Sequence, residues 1–157
     1  MEIKYDIATK DDIKELIRLR IAYMMDDFGS VSEDERIALD KQLPDYFLRK
    51  LGSELIAFVA RDENRIVSVA YLLIIEMPAN LMLLNGIYGD VLNVYTEPEY
   101  RGKGLATSLM NNLIEYGKKA GLGRIDLMAT DDGYPIYKKV GFEDKKQKYK
   151  DMVYKIK

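Results

Sequence analysis

The chain has 157 residues and a mass of 18.1 kDa, one domain's worth of sequence, enough to bury roughly 70 % of the surface its unfolded form exposes. Apolar residues make up 48 % and charged residues 32 %, with 11 Gly and 4 Pro, which excludes a disordered or fibrous chain. Lys and Arg number 24 against 26 Asp and Glu, so the basic excess that phosphate-backbone binding draws on is missing and no nucleic-acid partner is expected.

Cys and His are both absent. Disulfides, thiolate nucleophiles, Cys/His zinc sites, imidazole bases and Ser-His-Asp triads are thereby excluded, and no metal is expected. Acid and base chemistry falls to carboxylates, Lys, Tyr or relayed water, and group transfer is easier by direct attack than through a covalent enzyme intermediate. The opening Met1-Glu2-Ile3-Lys4-Tyr5-Asp6 has no apolar signal core. The longest apolar run, Ile66 to Ile75, is broken by Ser68 and too short to span a bilayer. These features predict a soluble, unprocessed, cytoplasmic chain with no membrane partner, folded as a single domain over residues 1–157.

Ile3 to Ala8 reads as a strand, and Thr9 with Asp12 as a capping box opening a helix. Ile13, Leu16, Ile17, Ile21 and Met24 form its apolar face up to Gly29. Ser32 with Glu35 caps a second helix, whose Leu39, Leu43, Phe47 and Leu51 recur every four residues toward Gly52, with Pro44 placed to split it. Leu55 to Arg61 and Arg65 to Glu76, joined at Asp62-Glu63-Asn64, predict an antiparallel hairpin. An irregular link from Pro78 to Gly89, with a turn at Asn85-Gly86, leads to a strand over Asp90 to Thr96 that Pro98 stops. Arg101 to Ala120 reads as a helix striped by Leu105, Leu109 and Leu113, followed by a strand at Arg124 to Thr130 that pairs in parallel. A short helix from about Asp132 to Gly141 and two charged strands complete the chain, the last with Met152, Tyr154 and Ile156 on one face. The order is β-α-α-β-β-β-α-β-α-β-β, a mixed α/β fold with helices on the faces of one sheet.

The stretch Val91 to Ala106 is a strand, a stop, and then glycines opening a helix. Gly102 and Gly104 let a ligand approach the backbone, and the first unpaired N–H groups of the helix make an anion cradle backed by its dipole. Arg101 and Lys103 add mobile positive charge, which suits a pyrophosphate better than a lone carboxylate. Two glycines at a helix start also occur for conformational reasons alone, and neither a P-loop nor a G-x-G-x-x-G pattern is present.

Arg101 to Ala106 fits the Q/R-x-x-G-x-G/A signature, and Tyr137-Lys138-Lys139-Val140-Gly141-Phe142 fits a Y-x-x-x-G-F ending, so that Asp90 to Phe142 resembles the GNAT superfamily of N-acetyltransferases. The resemblance implies a mixed, mostly antiparallel sheet with helices on both faces, and acetyl transfer from acetyl-CoA to a primary amine by direct attack. It implies that amides of Gly102, Lys103, Gly104, Leu105 and Ala106 hold the CoA pyrophosphate, with Arg101 opening the signature. Val94, Tyr95 and Thr96 match the strand that pairs with the pantetheine arm and polarises the thioester carbonyl. That strand splays from the next one in the family, for which a bulge would be the physical cause. Tyr137 matches the general acid that protonates the departing sulfur, with Tyr134, one turn earlier, as its confounder and core packing as the alternative role.

No residue is assigned as the base. Leu92, Asn93 and Val94 hold the strand positions where relatives carry an acid, Asp90 lies further back, and Glu97, Glu99, Asp131 and Asp132 read as solvated or capping charges. Asp26, Asp27, Glu33, Asp34 and Glu35 cluster around Gly29-Ser30, where they either steer a cationic amine, from a small molecule or a protein, or simply favour helix starts. From Tyr137 to Lys157 the chain carries eight lysines against three acids, explained by edge-strand protection or by attraction of CoA phosphates. Met77, Leu81, Met82, Leu83 and Leu84 form an apolar connection for which core burial is the default and a homodimer contact or a cover over the cleft the alternatives. Rival readings are a non-catalytic acyl-CoA-binding module and a nucleotide-binding regulator built on the same glycines.

Overall fold

The computed structural model describes residues 2–157. Five strands form one sheet in the order β1-β2-β3-β4-β5: β1 Ile3–Ile7, β2 Leu55–Asp62, β3 Arg65–Glu76, β4 Ile87–Thr96 and β5 Ile125–Asp126. Every neighbouring pair is antiparallel except β4 with β5, which runs parallel as the intervening helix requires. The helices are α1 Ile13–Phe28, α2 Glu33–Lys50, α3 Leu105–Lys119 and α4 Tyr134–Val140.

Each face of the sheet carries its own core. Leu16, Leu19 and Ile21 of α1 and Leu43 and Phe47 of α2 pack on Ala57, Val59, Val69 and Tyr71. On the other face Leu105, Leu109, Met110 and Leu113 of α3 cover Ile56, Phe58, Val67, Ala70 and Leu72. Because both faces are covered, β2 and β3 read as nearly continuous apolar runs instead of alternating ones.

Both predicted caps form. The Asp12 carboxylate accepts from the Thr9 N–H at 2.9 Å, and Ser32 and Glu35 exchange bonds of 2.9 and 3.1 Å. Pro44 does not split α2. The carbonyl that loses its bond belongs to Asp40, an exposed residue open to solvent, while Leu43 and Phe47 on either side hold both halves against the sheet.

Three further features depart from the sequence pattern. Of the apolar link only Leu83 is buried, and Leu81, Met82 and Leu84 project into solvent. The fourth-to-fifth strand pairing is short, because residues 127–130 leave the ladder after Asp126. The two charged terminal strands do not form, and residues 143–157 hold no helix or strand. Alternating Met152, Tyr154 and Ile156 supply a strand pattern, but a strand exists only when a partner completes its ladder. No helix among the described residues is long and apolar enough to cross a membrane.

An ionic network ties α1 to the sheet beside the glycine-rich turn. Arg18 donates to Glu15 at 2.7 Å, to Glu97 at 3.3 Å and to the Ile66 carbonyl at 3.0 Å, while Arg65 donates to Glu97 at 2.6 and 3.0 Å. Glu97 is therefore a buried anchor and not the solvated loop charge its position suggested. Hydrogen bonding to Arg18 holds the Glu15 carboxyl below the ordinary carboxylate range, against the opposing effect of burial. A depressed native pKa means that the unfolded chain binds the proton more tightly, so this contribution is complete above the ordinary value and is lost as pH falls through the native one. The urea midpoint is expected to decline as pH falls below the ordinary glutamate value of about 4.3, and Arg18→Met to lower the midpoint at neutral pH while flattening that decline.

Candidate active site

The site is built on β4. Between the rungs Tyr71/Leu92 and Val69/Tyr95, β3 supplies one residue, Ala70, whereas β4 supplies two, Asn93 and Val94. This is a β-bulge, and Asn93 occupies it with a φ of 51°. Asn is one of the few side chains that tolerate that region. Its carboxamide oxygen accepts a 2.9 Å bond from the Arg20 guanidinium of α1. The extra residue also changes which face each side chain meets: Val91 and Val94 pack toward α3, while Leu92 and Tyr95 pack toward α1 and α2.

β5 accompanies β4 only at Gly89/Ile125 and Asp90/Asp126. Beyond that rung β4 continues to Thr96 with no strand on this side, so the peptide groups that point there lack ladder partners among the described residues. The edge leads through a single 3-10 turn at Pro98–Tyr100 to the glycine-rich turn. Gly102 and Gly104 have left-handed backbones, φ 77° and 80°, and a Cβ on either would point into open space. The first internal bond of α3 runs from the Ser108 N–H to the Gly104 carbonyl at 3.1 Å. The N–H groups of residues 102–107 consequently have no backbone acceptor among the described residues, and the dipole of α3 lies behind them. Such a cradle suits a phosphate or pyrophosphate.

Arg101 is not the mobile cation its position suggested. Its Nε donates to the Thr96 carbonyl at 2.8 Å, its Nη2 donates to Asp26 at 2.8 Å, and its guanidinium lies 5.5 Å from the Tyr95 ring centroid. The residue fastens the start of the cradle to the end of β4 and to the last turns of α1. Lys103, 5.4 Å from the Tyr100 ring centroid, remains the exposed cation of the turn.

Tyr137 lies in α4, its ring 6.1 Å from that of Phe142. A Cβ on Gly133 would stand 2.7 Å from the Tyr137 ring, so this glycine makes room for it. Burial, with a smaller contribution from Tyr23 of α1, pushes the Tyr137 phenol up to about 12, and it stays protonated across the working range. The two tyrosines of α4 differ in environment. Tyr134 donates its hydroxyl proton to Asp144 at 2.9 Å, whereas Tyr137 has no such carboxylate partner among the described residues. A cavity of about 710 Å³ lined by Leu127, Met128, Tyr134, Tyr137 and Phe142 lies beside it.

Two of the five acids near Gly29 are engaged in structure, Asp26 with Arg101 and Glu35 with the Ser32 amide. Asp90 faces Asp126 at the last rung of the β4–β5 ladder, and burial first, then Asp126, raises its carboxyl above the ordinary range. Asn93, Arg20 and Tyr71 were not singled out as site residues from sequence. The Tyr71 hydroxyl and the Asn93 amide nitrogen are buried without hydrogen-bond partners among the described residues, both at the bulge. An Asn inside a run of strand formers is the one signal that could have marked it. Among the described residues no group of three or more His, Cys, Asp or Glu is arranged to hold a metal ion. Asn93→Val places a β-branched residue at positive φ and leaves Arg20 without its partner; it is expected to cost about 2–3 kcal/mol by urea unfolding, with Asn93→Gly costing about half as much.

A family model, the acetyltransferase (GNAT) family, matches residues 16–142. The fold superposes with a TM-score of 0.85 on a crystal structure of a predicted acetyltransferase with acetyl-CoA from Clostridium acetobutylicum, 31 % identical, over 97 % of this chain and 96 % of that one. An uncharacterised N-acetyltransferase of Methanocaldococcus jannaschii is 34 % identical over 59 residues, 36 % of this chain and 26 % of that protein. A glucosamine 6-phosphate N-acetyltransferase of Trypanosoma brucei brucei is 33 % identical over 54 residues, 34 % of this chain and 37 % of that protein. The matched stretches thus span well under half the length of these two relatives. With a family match over most of its length and the acetyltransferase fold, the chain belongs to the GNAT acetyltransferase family.

Proposed function

We propose that this protein transfers an acetyl group from acetyl-CoA to a primary amine by direct attack. The observation that carries the reading is the unpaired edge of β4 running directly into the N–H cradle of Gly102 to Ala106. An extended pantetheine arm would pair with the edge over Val94, Tyr95 and Thr96, while its pyrophosphate would sit on the amides of residues 102–106, with Lys103 adding charge.

The reaction then follows from charge. The amine lone pair forms a bond to the thioester carbonyl carbon, and negative charge develops on the carbonyl oxygen, where an N–H of the bulged strand stabilises it. Collapse breaks the C–S bond, Tyr137 supplies a proton to the departing sulfur, and the proton that the new amide nitrogen sheds returns to the phenolate directly or through water. Its raised pKa ensures that the proton is there to give. The amine enters deprotonated or loses its proton through water; Asp90, made more basic by burial and by Asp126, is the carboxylate of β4 that such a relay would reach. Arg101 acts by positioning the cradle. The acceptor is a small-molecule amine in this reading, and amino sugars enter the first screen because the Trypanosoma relative acts on glucosamine 6-phosphate.

Calorimetric titration is expected to show binding of acetyl-CoA and none of ATP or NAD. Binding of either control in its place would make the protein a nucleotide-binding regulator, and acetyl-CoA binding with no turnover across an amine screen would make it a non-catalytic module. Gly104→Val, at φ 80°, is expected to weaken acetyl-CoA binding more than tenfold, as the side chain both strains the turn and occupies the cradle. With an acceptor in hand, Tyr137→Phe is expected to lower kcat by roughly 10²-fold or more with little change in KM for acetyl-CoA, the mark of an interaction made in the transition state.

A further inference from the structure

Charge beside the bulge of β4 is unbalanced. Of the eight arginines in the chain seven bond a carboxylate, and among the described residues Arg20 is the exception. Its Nη1 donates to the Asn93 carboxamide oxygen at 2.9 Å, while its Nε and Nη2 meet no acceptor among the described residues. The residue is half-buried, with its guanidinium 5.9 Å from the Tyr23 ring centroid. Taking a cation partly out of water with no counter-charge is unfavourable. Holding the Asn93 oxygen needs one N–H and no charge, so the bulge alone does not account for an arginine at this position.

Two neutral donors stand at the same place. The Tyr71 hydroxyl and the Asn93 amide nitrogen have no hydrogen-bond partner among the described residues, in side chains whose residues are only 2 % and 6 % exposed. Tyr71 is close enough to Arg20 for the cation to draw its phenol pKa down, against the larger upward effect of burial. Each of the three side chains thus has an N–H or O–H left to give, and buried donors left unmet are destabilising. The position matters as well. Asn93 directly precedes Val94, and Tyr23, against which Arg20 lies, packs edge-on to Tyr95 at 6.5 Å and contributes to the raised pKa of Tyr137. Arg20 therefore stands on the α1 side of the stretch of β4 at which the thioester would react.

Building on the acetyl transfer proposed above, we infer that Arg20, with Asn93 and Tyr71, binds an oxyanion of the acceptor, which is a small amine that also carries a carboxylate or a phosphate. The Nε and Nη2 of a guanidinium present two parallel N–H groups that match either oxyanion in a bidentate pair. Asn93 holds the third nitrogen and so aims that fork. Tyr71 and the Asn93 amide lie deeper and complete the shell directly or through one water. A seated anion supplies the counter-charge that Arg20 lacks and brings the amine of the same molecule beside the bulge. An amine without an anion leaves the cation unbalanced, and a polyamine is repelled by it, so the site discriminates by charge.

The test follows the arginine Nε–H signals in 1H–15N spectra of the intact protein, the Arg20 signal being assigned by its loss in Arg20→Lys. N-acetylglycine and N-acetylglucosamine 6-phosphate are titrated beside their uncharged counterparts, N-acetylglycinamide and N-acetylglucosamine, without and then with CoA. Being acetylated already, these probes need no turnover. The expected result is a saturable shift of the Arg20 signal with at least one anionic probe, roughly tenfold weaker or absent with its uncharged counterpart, while the other arginine signals hold their places. The probe that saturates at the lower concentration separates carboxylate from phosphate. Followed through backbone amide signals, affinity is expected to fall roughly tenfold or more in Arg20→Met and by less in Arg20→Lys, which keeps the charge and loses the fork. Three results would overturn the assignment: no saturable shift with either anionic probe, an equal shift with the uncharged counterpart, or unchanged affinity in the folded variants. Acetyl-CoA binding with a silent Arg20 signal would overturn this assignment alone. A shifted Arg20 signal in a protein that binds no acetyl-CoA would overturn the transfer reading and support the oxyanion site.

Discussion

Everything at the candidate site depends on one backbone conformation, the positive φ of Asn93. It inserts one residue into β4, and from there on the strand presents different side chains to each helical layer. Without that change Tyr95 would face α3, and the ring against which Arg101 lies would be gone. Arg20, reaching from α1, holds the bulge through the Asn93 side chain. A helix on one face thus governs the edge of a strand whose open side is proposed to receive the donor.

The surrounding interactions converge on the same strand. Glu97, just past its end, is held by Arg18 and Arg65, and Arg101 ties the cradle back to the Thr96 carbonyl and across to Asp26. Exposed ion pairs contribute little stability singly, but the Glu97 group is buried and shared by two arginines, which makes it a fixed point. Helix α1 therefore supplies three separate connections to the region from Asn93 to Arg101, through Arg18, Arg20 and Asp26.

How much of this the sequence disclosed depended on how far apart the interacting residues lie. The hairpin of β2 and β3 was legible because its signals are local, Val- and Ile-rich runs around Asp62-Glu63-Asn64. The caps at Ser32 and Thr9 and the glycines of the cradle were legible for the same reason. Glu97 was misread because its partners Arg18 and Arg65 lie 79 and 32 residues away, and nothing around it shows that it is buried. The bulge at Asn93 is not legible in the sequence because a bulge belongs to a pair of strands and is invisible in either one alone. The terminal strands were read correctly as a pattern and wrongly as an element, since Met152, Tyr154 and Ile156 fix which face would be apolar and say nothing of what would lie beneath it.

An open strand edge is ordinarily a hazard, because any extended chain can pair with it and begin to aggregate. In this protein the edge of β4 is bounded at one end by the Asp90/Asp126 rung and interrupted by the extra residue at Asn93 and Val94. A regular peptide strand laid along it would match the spacing of donors and acceptors for only a few atoms before falling out of step. A short, flexible amide-bearing arm has no such periodicity to maintain. The bulge thus stands beside an edge left open by the short β5, and disfavours a second polypeptide that would pair along it in register.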